Sequence, residues 1–267
     1  MTEWTAEEVV SFDERGADLG SDRIRLETPD YLLFLVPGSY TLTLVRRFRS
    51  TPDRADALIG EIRARALDGG ATGLRWAVTP LTTPADLAER LVRRGFVPLA
   101  PAETLYLPLG TKADPRLPPS RHRGTVSVRE AITDSEIDLF VHLGEQIFGD
   151  PTPPPDYLPK FRTEVRRTQQ ATGHSELFLA CDGDLPVGRG GLSVTGTVAR
   201  LWTSGVLPEH RGKGAYTALV RERCRVAIEL GAELALTHAN IGTSGPILKA
   251  RGFRSAGRYD YYELRPE

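Results

Sequence analysis

The stretch VLPEHRGKGAYTALV, residues 206–220, contains two glycines and two cations between a short apolar segment and a helix pattern. The apolar residues before it are typical of the end of a strand, and those after it have amphipathic helical spacing. At Gly212 and Gly214 no side chain stands in front of the helix, so its first backbone N–H groups are left uncovered. The stretch therefore predicts a strand, a tight turn and a helix whose N-terminus is open to a ligand.

An anion is the ligand that this helix start favours. The first amides point along the helix axis and carry about half a unit of positive charge, to which Arg211 and Lys213 add. The pattern is not a nucleotide P-loop, because Lys213 is followed by Gly-Ala instead of Ser or Thr. It is not a dinucleotide fingerprint either, since GRGGLS at 188–193 lies in a β-pattern with no helix after it. A helix start that is merely flexible remains an alternative.

The composition limits the classes of partner. The net charge of −1, with 26% charged residues, does not indicate a basic face, so nucleic acid is not an expected partner. The N-terminus lacks a secretory pattern and no apolar run reaches the ~20 residues of a membrane helix, which predicts a cytoplasmic protein without a membrane partner. Arginine supplies 30 of the 34 basic residues, a bias typical of a GC-rich, bacterial genome.

The cysteines and histidines predict neither disulfides nor a metal site. Cys181 and Cys224 are too few for a disulfide framework and are expected to be small buried hydrophobic residues. The five histidines have no metal-ligand spacing.

Two halves of the chain resemble each other across a proline-rich segment. Both LVRRGFVPLAPAETLYLPL (91–109) and LKARGFRSAGRYDYYEL (248–264) contain Leu, then Arg-Gly-Phe, then a leucine at the same offset. Upstream of each lie a long helix pattern, a glycine stop, a strand and a short helix. We therefore predict two domains, 1–109 and 125–267, joined by a linker at 110–124. The alternative is coincidence between two ordinary helix–glycine–strand transitions.

The second half predicts a definite order of elements. It begins with a strand and two helices, which are separated by the proline-stiffened loop GDPTPPPDY at 149–157. Three meandering strands follow, of which the first two form a hairpin through Asp182-Gly183-Asp184. A helix, a strand, a short helix and further strands complete the chain.

This order and the RGKGA run at 211–215 resemble the GNAT superfamily of N-acetyltransferases, whose acyl-CoA signature is Arg/Gln-x-x-Gly-x-Gly/Ala. The residues around Asn240, Leu248 and Gly252-Phe253 are similar to that family's strand 5 and helix 4. The resemblance implies an α/β (α+β) fold with two GNAT-like domains, each a mixed, mostly antiparallel twisted sheet flanked by helices. The first domain is similar to a truncated repeat. Its segment 45–59 contains no glycine, so we expect no CoA there and a structural role.

The resemblance implies an N-acetyltransferase that transfers an acyl group, with acetyl-CoA as the donor, directly to an amine of a small molecule or peptide. Val206 and Leu207 would present backbone groups to the pantetheine arm. The residues that would bind the cofactor are Val206, Leu207, Arg211, Gly212, Lys213, Gly214, Ala215, Tyr216 and Asn240.

Two positions depart from the family's catalytic pattern: Arg200 and Leu248 stand where many relatives have a glutamate base and a tyrosine acid. Candidate bases are Glu145, Asp156 and His238, and candidate acids are Ser244 and Tyr216. Each has a simpler interpretation: His238 as a hydrogen-bonded core residue, and Glu145 and Asp156 as solvated surface carboxylates.

The departures from the family pattern leave a second function open, a non-catalytic regulatory module that binds acyl-CoA. The acceptor and the oligomeric state, including a homo-oligomer, are not determined by the sequence.

Overall fold

The computed structural model describes residues 4–16, 23–37, 43–110 and 126–264. The chain forms two compact units. The first contains the described residues up to Leu105, with His238–Lys249 and those from Arg254 onward, and the second contains Tyr106–Thr237 and Ala250–Phe253. These units do not coincide with the predicted ranges 1–109 and 125–267, because most of the C-terminal segment clusters with the first unit. The division of the sequence into two repeats stays a prediction. Apart from Gly110, the predicted linker at 110–124 lies outside the described residues.

The first unit is built from the N-terminal elements and the last ones of the chain. Its elements are α1 (Ala6–Glu14), β1 (Ile24–Glu27), β2 (Tyr31–Leu35), β3 (Thr43–Phe48), α2 (Pro52–Asp68), β4 (Leu74–Val78), α3 (Leu87–Arg93), β5 (Val97–Pro98), α7 (Ser244–Lys249), β12 (Arg254–Arg258) and β13 (Asp260–Leu264). The boundary between the units falls within β6 (Ala102–Pro108) and β11 (Leu234–Asn240).

The second unit contains the remaining elements, and their order confirms the predicted one. They are β7 (Val126–Glu130), α4 (Asp134–Phe148), α5 (Tyr157–Thr172), β8 (Leu177–Asp182), β9 (Leu185–Thr195), β10 (Val198–Val206), a 3₁₀ turn (Pro208–His210) and α6 (Ala215–Glu229). The predicted proline loop follows α4 and the predicted hairpin joins β8 to β9, whereas GRGGLS lies within β9 as the pattern required.

The first unit has a six-stranded sheet in the order β1-β2-β3-β4-β13-β5. Only β3 and β4 pair in parallel in this sheet; the other described neighbours are antiparallel. Apolar side chains of α2 and α3 pack against side chains of β2, β3 and β4 and form a buried core with them. The C-terminal strand β13 thus completes a sheet that the N-terminal half begins.

The second unit has the strand order β11-β10-β9-β8-β7. β10 pairs in parallel with β11 and the other three pairs are antiparallel. Apolar residues of α4 and α5, including Ile137, Phe140 and Val165, form a core with Leu177 and Leu179 of β8. Both sheets are therefore mostly antiparallel and flanked by helices, which confirms the predicted fold class.

The helix boundaries follow from local chemistry. Thr133 and Glu136 form a capping box at the start of α4, in which each side chain bonds to the backbone of the other residue. Gly149 and Gly173, both left-handed, end α4 and α5. No helix in the described ranges is long and apolar enough to cross a membrane.

Trp76 is central to the core of the first unit. It is fully buried, and Phe48 and Phe96 contact it edge-on at centroid distances of 5.2 and 5.9 Å. Trp76→Ala should lower the free energy of unfolding of this unit by about 3–5 kcal/mol, because it removes a large buried ring and leaves a cavity. Denaturant unfolding followed by circular dichroism measures the change. Leu67→Ala, at a position 60% exposed on α2, is the control and should change it by about 0.5 kcal/mol or less.

Candidate active site

The predicted strand, turn and helix are formed by β10, residues 207–214 and α6. The turn leaves β10 through the 3₁₀ turn Pro208–His210 and enters α6 at Gly214, the N-cap residue. Gly212 and Gly214 have φ values of 77° and 94°, in a region that side chains strongly disfavour. The backbone therefore favours glycine at both positions.

The start of α6 provides an open cradle for an anion. Gly214 has no side chain with which to cap the helix, and the backbone bond from Ala218 N–H to the Gly214 carbonyl is among the first bonds of the helix. A Cβ atom added at Gly212 would meet no atom of the described residues within 4 Å. The first-turn amides and this free space fit a pyrophosphate group, which helix N-termini bind through N–H groups and dipole.

Two cations of the turn are held by neighbouring groups. Arg211 Nε donates to the carbonyl of Val206 at 3.1 Å, which ties the turn to the end of β10. Lys213 Nζ lies 3.2 Å from Asp182 Oδ2, and His210 Nδ1 lies 3.4 Å from the same oxygen. The Lys213 side chain is 51% exposed, so its ion pair contributes little to stability and can exchange for a phosphate.

The described pairing of β10 with β11 is short. The parallel pairing covers Val198, Ala199 and Arg200, and one further link, from the Thr237 hydroxyl to the Leu201 carbonyl, spans 2.8 Å. A bulge between Trp202 and Gly205 then bends β10. A bulge leaves backbone groups of the strand without a ladder partner, and a ligand can pair with such groups.

The backbone of Leu207 is engaged inside the protein. Its N–H donates to the Val187 carbonyl at 2.9 Å, and its carbonyl accepts from His210 N–H. Both backbone groups of Leu207 are thus engaged in this conformation, and its place among the donor-binding residues stays a prediction. The reason is that residue 207 continues the antiparallel contact of β10 with β9.

Three acid–base candidates lie in the second unit. Glu145 on α4 contacts His142 Nδ1 at 3.2 Å and Thr152 Oγ1 at 3.4 Å. Asp156 is exposed, and the hydrogen bond from Lys160 lowers its pKa, which supports its interpretation as a solvated surface carboxylate. Tyr216 is partly buried in the first turn of α6.

Ser244 and Asn240 lie in the first unit and form a local turn. Asn240 N–H donates to Ser244 Oγ at 3.0 Å, and Asn240 Oδ1 accepts from Gly242 N–H at 2.8 Å. Both side chains therefore shape the start of α7. Leu248, in the place of the family's tyrosine, is buried.

His238, also in the first unit, is part of a polar cluster. Its Nε2 lies 2.8 Å from Asp13 Oδ2, and its Nδ1 lies 3.5 Å from the hydroxyl of Tyr261. The ring of Tyr259 stacks on it at a centroid distance of 3.7 Å. The His238 side chain is 22% exposed, so it is a hydrogen-bonded residue that still reaches the surface.

The sequence analysis did not identify three neighbours of His238, which are Asp13, Tyr259 and Tyr261. Asp13 is separated from His238 by 225 positions, and no motif links the two. The signal in α1 was weak, because an aspartate in a helix of acidic and apolar residues is typical of a solvated face. Among the described residues, no group of three or more His, Cys, Asp or Glu could hold a metal ion.

In the first unit, the helix that corresponds to α6 begins with a proline and is not preceded by a glycine turn. α2 begins at Pro52, which has no N–H to offer a ligand, and the amides of Arg54 and Ala55 donate to the Thr51 carbonyl. These contacts support the prediction that no CoA binds at this position, which stays a prediction.

The chain is similar to known acetyltransferases in both sequence and structure. Residues 144–245 match the Acetyltransferase (GNAT) family. No curated protein matches the chain in sequence. The matched residues run from α4 to the start of α7 and include the glycine turn.

Solved structures extend the likeness over nearly the whole chain. A GCN5-related N-acetyltransferase from Kribbella flavida has 15% identity and a TM-score of 0.67, with 98% of this chain and 96% of that chain covered. One from Sphaerobacter thermophilus has 19% identity, a TM-score of 0.59 and coverages of 96% and 85%. A tandem GNAT protein from the clavulanic acid biosynthesis pathway has 17% identity, a TM-score of 0.53 and coverages of 89% and 79%. At these identities the likeness establishes the fold.

Both cysteines are buried and free. Burial raises the pKa of Cys224 to about 12, so its reactive thiolate is scarce at neutral pH. We expect neither Cys181 nor Cys224 to react with dithionitrobenzoate in the folded protein, and both to react once it is unfolded in guanidinium. A fast-reacting thiol in the native protein would contradict the burial of these side chains.

Proposed function

We propose that this chain, with its GNAT acetyltransferase domain, is an acyl-CoA-dependent N-acyltransferase that uses acetyl-CoA and acylates an amine of a small molecule or peptide. The observation that carries the proposal is the Gly212–Lys213–Gly214 turn at the open start of α6. Its amides, its free space and its cations fit the pyrophosphate of CoA better than they fit a neutral ligand.

The residues that would hold the donor follow from this geometry. Gly212, Gly214 and the first-turn amides of α6, including those of Ala215 and Tyr216, would accept the pyrophosphate, with Lys213 and Arg211 at its rim. Val206, at the end of β10, is the backbone position proposed for the pantetheine arm. Bound there, acetyl-CoA would supply an activated acetyl group.

The transfer needs a neutral amine and a protonated leaving thiol. His238 stays a candidate base, since it is partly exposed and has hydrogen-bond partners that can orient an imidazole. Glu145 has an exposed histidine and a threonine as partners, and Asp156 is paired with Lys160. Ser244 serves a local turn, so Tyr216 remains the acid candidate from the sequence.

The non-catalytic alternative differs from this proposal in one measurable respect. A regulatory module would bind acetyl-CoA and release no thiol with any amine.

Binding of the donor should raise the melting temperature. A ligand at 100 times its dissociation constant adds about 2.7 kcal/mol to the stability of the unit that binds it. We expect saturating acetyl-CoA to raise one melting step in a calorimetric scan, with both steps followed because the chain has two compact units. No shift with acetyl-CoA or other CoA esters would remove the basis of the proposal.

A substitution at Gly212 should distinguish loss of anion binding at the start of α6 from a general loss of stability. Gly212→Trp is expected to abolish the acetyl-CoA shift, because the new side chain fills the space in front of α6. Gly196→Trp is the matched control: Gly196 also has a positive φ, of 58°, and open space around its Cβ position, but lies at the other end of β10. Both variants should lose about 1–2 kcal/mol through the left-handed backbone.

The variants Gly212→Trp and Gly196→Trp can also be compared in an assay that measures thiol release with a panel of amines. The buried cysteines of the protein should give no background signal in it. Wild type and Gly196→Trp should release CoA thiol with the right acceptor, and Gly212→Trp should not. Equal activity in the two variants would show that the turn is not the donor site.

A further inference from the structure

A single carboxylate oxygen contacts two residues of the glycine turn. Asp182 is the last residue of β8, and its Oδ2 lies 3.2 Å from Lys213 Nζ and 3.4 Å from His210 Nδ1. Both partners belong to the turn that connects β10 to α6, and all three residues lie in the second compact unit. The hairpin between β8 and β9 thus supplies a negative charge to the turn proposed to bind the donor.

The two contacts of Asp182 differ in how firmly the partner is held. The Lys213 side chain is 51% exposed, and an exposed ion pair contributes little, so this ammonium group can leave Asp182 at small cost. The His210 side chain is only 17% exposed, and its backbone N–H donates to the Leu207 carbonyl at 2.9 Å. Lys213 is therefore the partner that can move to a ligand, and His210 is the one that stays.

Histidine is the residue type in this cluster whose charge changes near neutral pH. Imidazole rings titrate between about pH 5 and pH 8, whereas surface carboxylates, lysines and arginines keep their charges there. The other charged or titratable residues of the turn, the hairpin, the first turn of α6 and the paired strand β7 are Glu209, Arg211, Asp184, Tyr216, Arg129 and Glu130. In the hydrogen bonds and ion pairs of the described residues, the His210 ring contacts Asp182 and none of these.

An anion at the start of α6 changes the balance between the two contacts. The oxygens of a pyrophosphate on the first-turn amides compete with Asp182 for the ammonium group of Lys213. The added negative charge also favours a protonated imidazole beside it. Because coupling between two binding events is reciprocal, a proton on His210 must strengthen binding of the anion by the same factor.

We propose that Asp182 is an electrostatic switch for the donor site: it holds Lys213 while no anion is bound, and it pairs with protonated His210 when the pyrophosphate of acetyl-CoA takes Lys213. This inference rests on the proposed function and adds a regulation of the same site. Donor binding is then tighter in weakly acidic than in weakly alkaline solution.

The affinity for the donor at two pH values tests the switch. The probe is the 3′-dephospho form of acetyl-CoA, which keeps the pyrophosphate but lacks the phosphate monoester, a group that itself titrates near pH 6. Isothermal titration calorimetry on the wild type should give a Kd about three- to tenfold lower at about pH 6 than at about pH 8, since charge coupling of this kind shifts a proton equilibrium by up to about one pKa unit.

His210→Gln removes the titrating ring, so its Kd should be the same within about twofold at the two pH values. His142→Gln is the matched control, because His142 is an exposed histidine of α4 that contacts Glu145 instead of Asp182. It should keep the wild-type pH dependence. The pair is needed because burial raises the pKa of Glu176 to about 7, so a second group of this unit titrates in the same range. A pH dependence that survives in His210→Gln overturns the proposal.

Asp182→Asn distinguishes the switch from a structural anchor. If Asp182 competes for Lys213, its neutralisation should lower the Kd at about pH 8 by about three- to tenfold. If the carboxylate only braced the turn, the same change would loosen the amides and raise the Kd, which would contradict the proposal. Asp184→Asn is the matched control: it removes the same charge from an exposed position of the same hairpin and should change the Kd by less than about twofold.

The ligand-free protein provides a test that does not depend on the donor. The ring C–H signals in NMR spectra follow the protonation of His210, and His210→Gln identifies its signals among the five histidines. The ring should titrate at lower pH in Asp182→Asn, which removes a negative charge, and at higher pH in Lys213→Met, which removes a positive charge. Unchanged titration in both variants would show that the three groups are not coupled.

The outcomes separate the two proposals. A wild type that binds neither acetyl-CoA nor its dephospho form contradicts the proposed function and the switch together. Binding of equal strength at the two pH values contradicts the switch and leaves the proposed function in place. If Asp182→Asn does not fold, the titration of His210 in Lys213→Met and the affinities of His210→Gln still decide.

Discussion

Buried backbone groups in a sheet need hydrogen-bond partners, and in the first unit this requirement is met by the C-terminal strand. β13 pairs with β4 from Asp260 to Leu264 and with β5 through Tyr262 and Glu263. β4 pairs with β3 on its other side, so without β13 it would be an open edge. The Arg75–Glu263 ion pair, at 2.7 Å, crosses the same two strands. Because β13 is fixed here, Tyr259 and Tyr261 stand beside His238, and the polar cluster depends on the sheet.

Charged residues of α1 also hold the polar cluster around His238 in place. Asp13 and Glu14 are consecutive and both buried. Asp13 pairs with Arg46 of β3, and Glu14 pairs with Arg49, the residue after β3 ends. Removing an ion from water costs several kcal/mol, and an ion pair of this kind is often no more stabilising than apolar residues of the same size. Stability is therefore a poor explanation for two adjacent buried carboxylates. Asp13 also contacts Nε2 of His238 through its second oxygen, so this carboxylate links α1 to β3 and to His238.

The two halves use the same succession of strand, turn and helix with opposite results at the helix start. In the second unit Gly212 and Gly214 adopt a backbone that leaves the first turn of α6 open. In the first unit Pro52 removes an N–H at the same place in the succession, and α2 has an exposed, arginine-rich outer face instead of a cradle. A change of two or three residues between a strand and a helix thus decides whether the helix dipole is available to an anion.

The sequence by itself determined the order of helices and strands, the glycine turn and the general fold, because caps, periodicity and turn residues act over a few positions. It also indicated that Asp156 is a surface residue and that both cysteines are buried. Only the tertiary structure decided that Leu207 bonds to β9, that Ser244 and Asn240 form a turn, and that His238 contacts Asp13. These facts depend on segments up to 225 positions apart, and the side chains that meet there carry no local pattern. Which strand completes the first sheet was likewise a matter of long-range pairing, because β13 has no alternation of buried and exposed residues that would specify its partner.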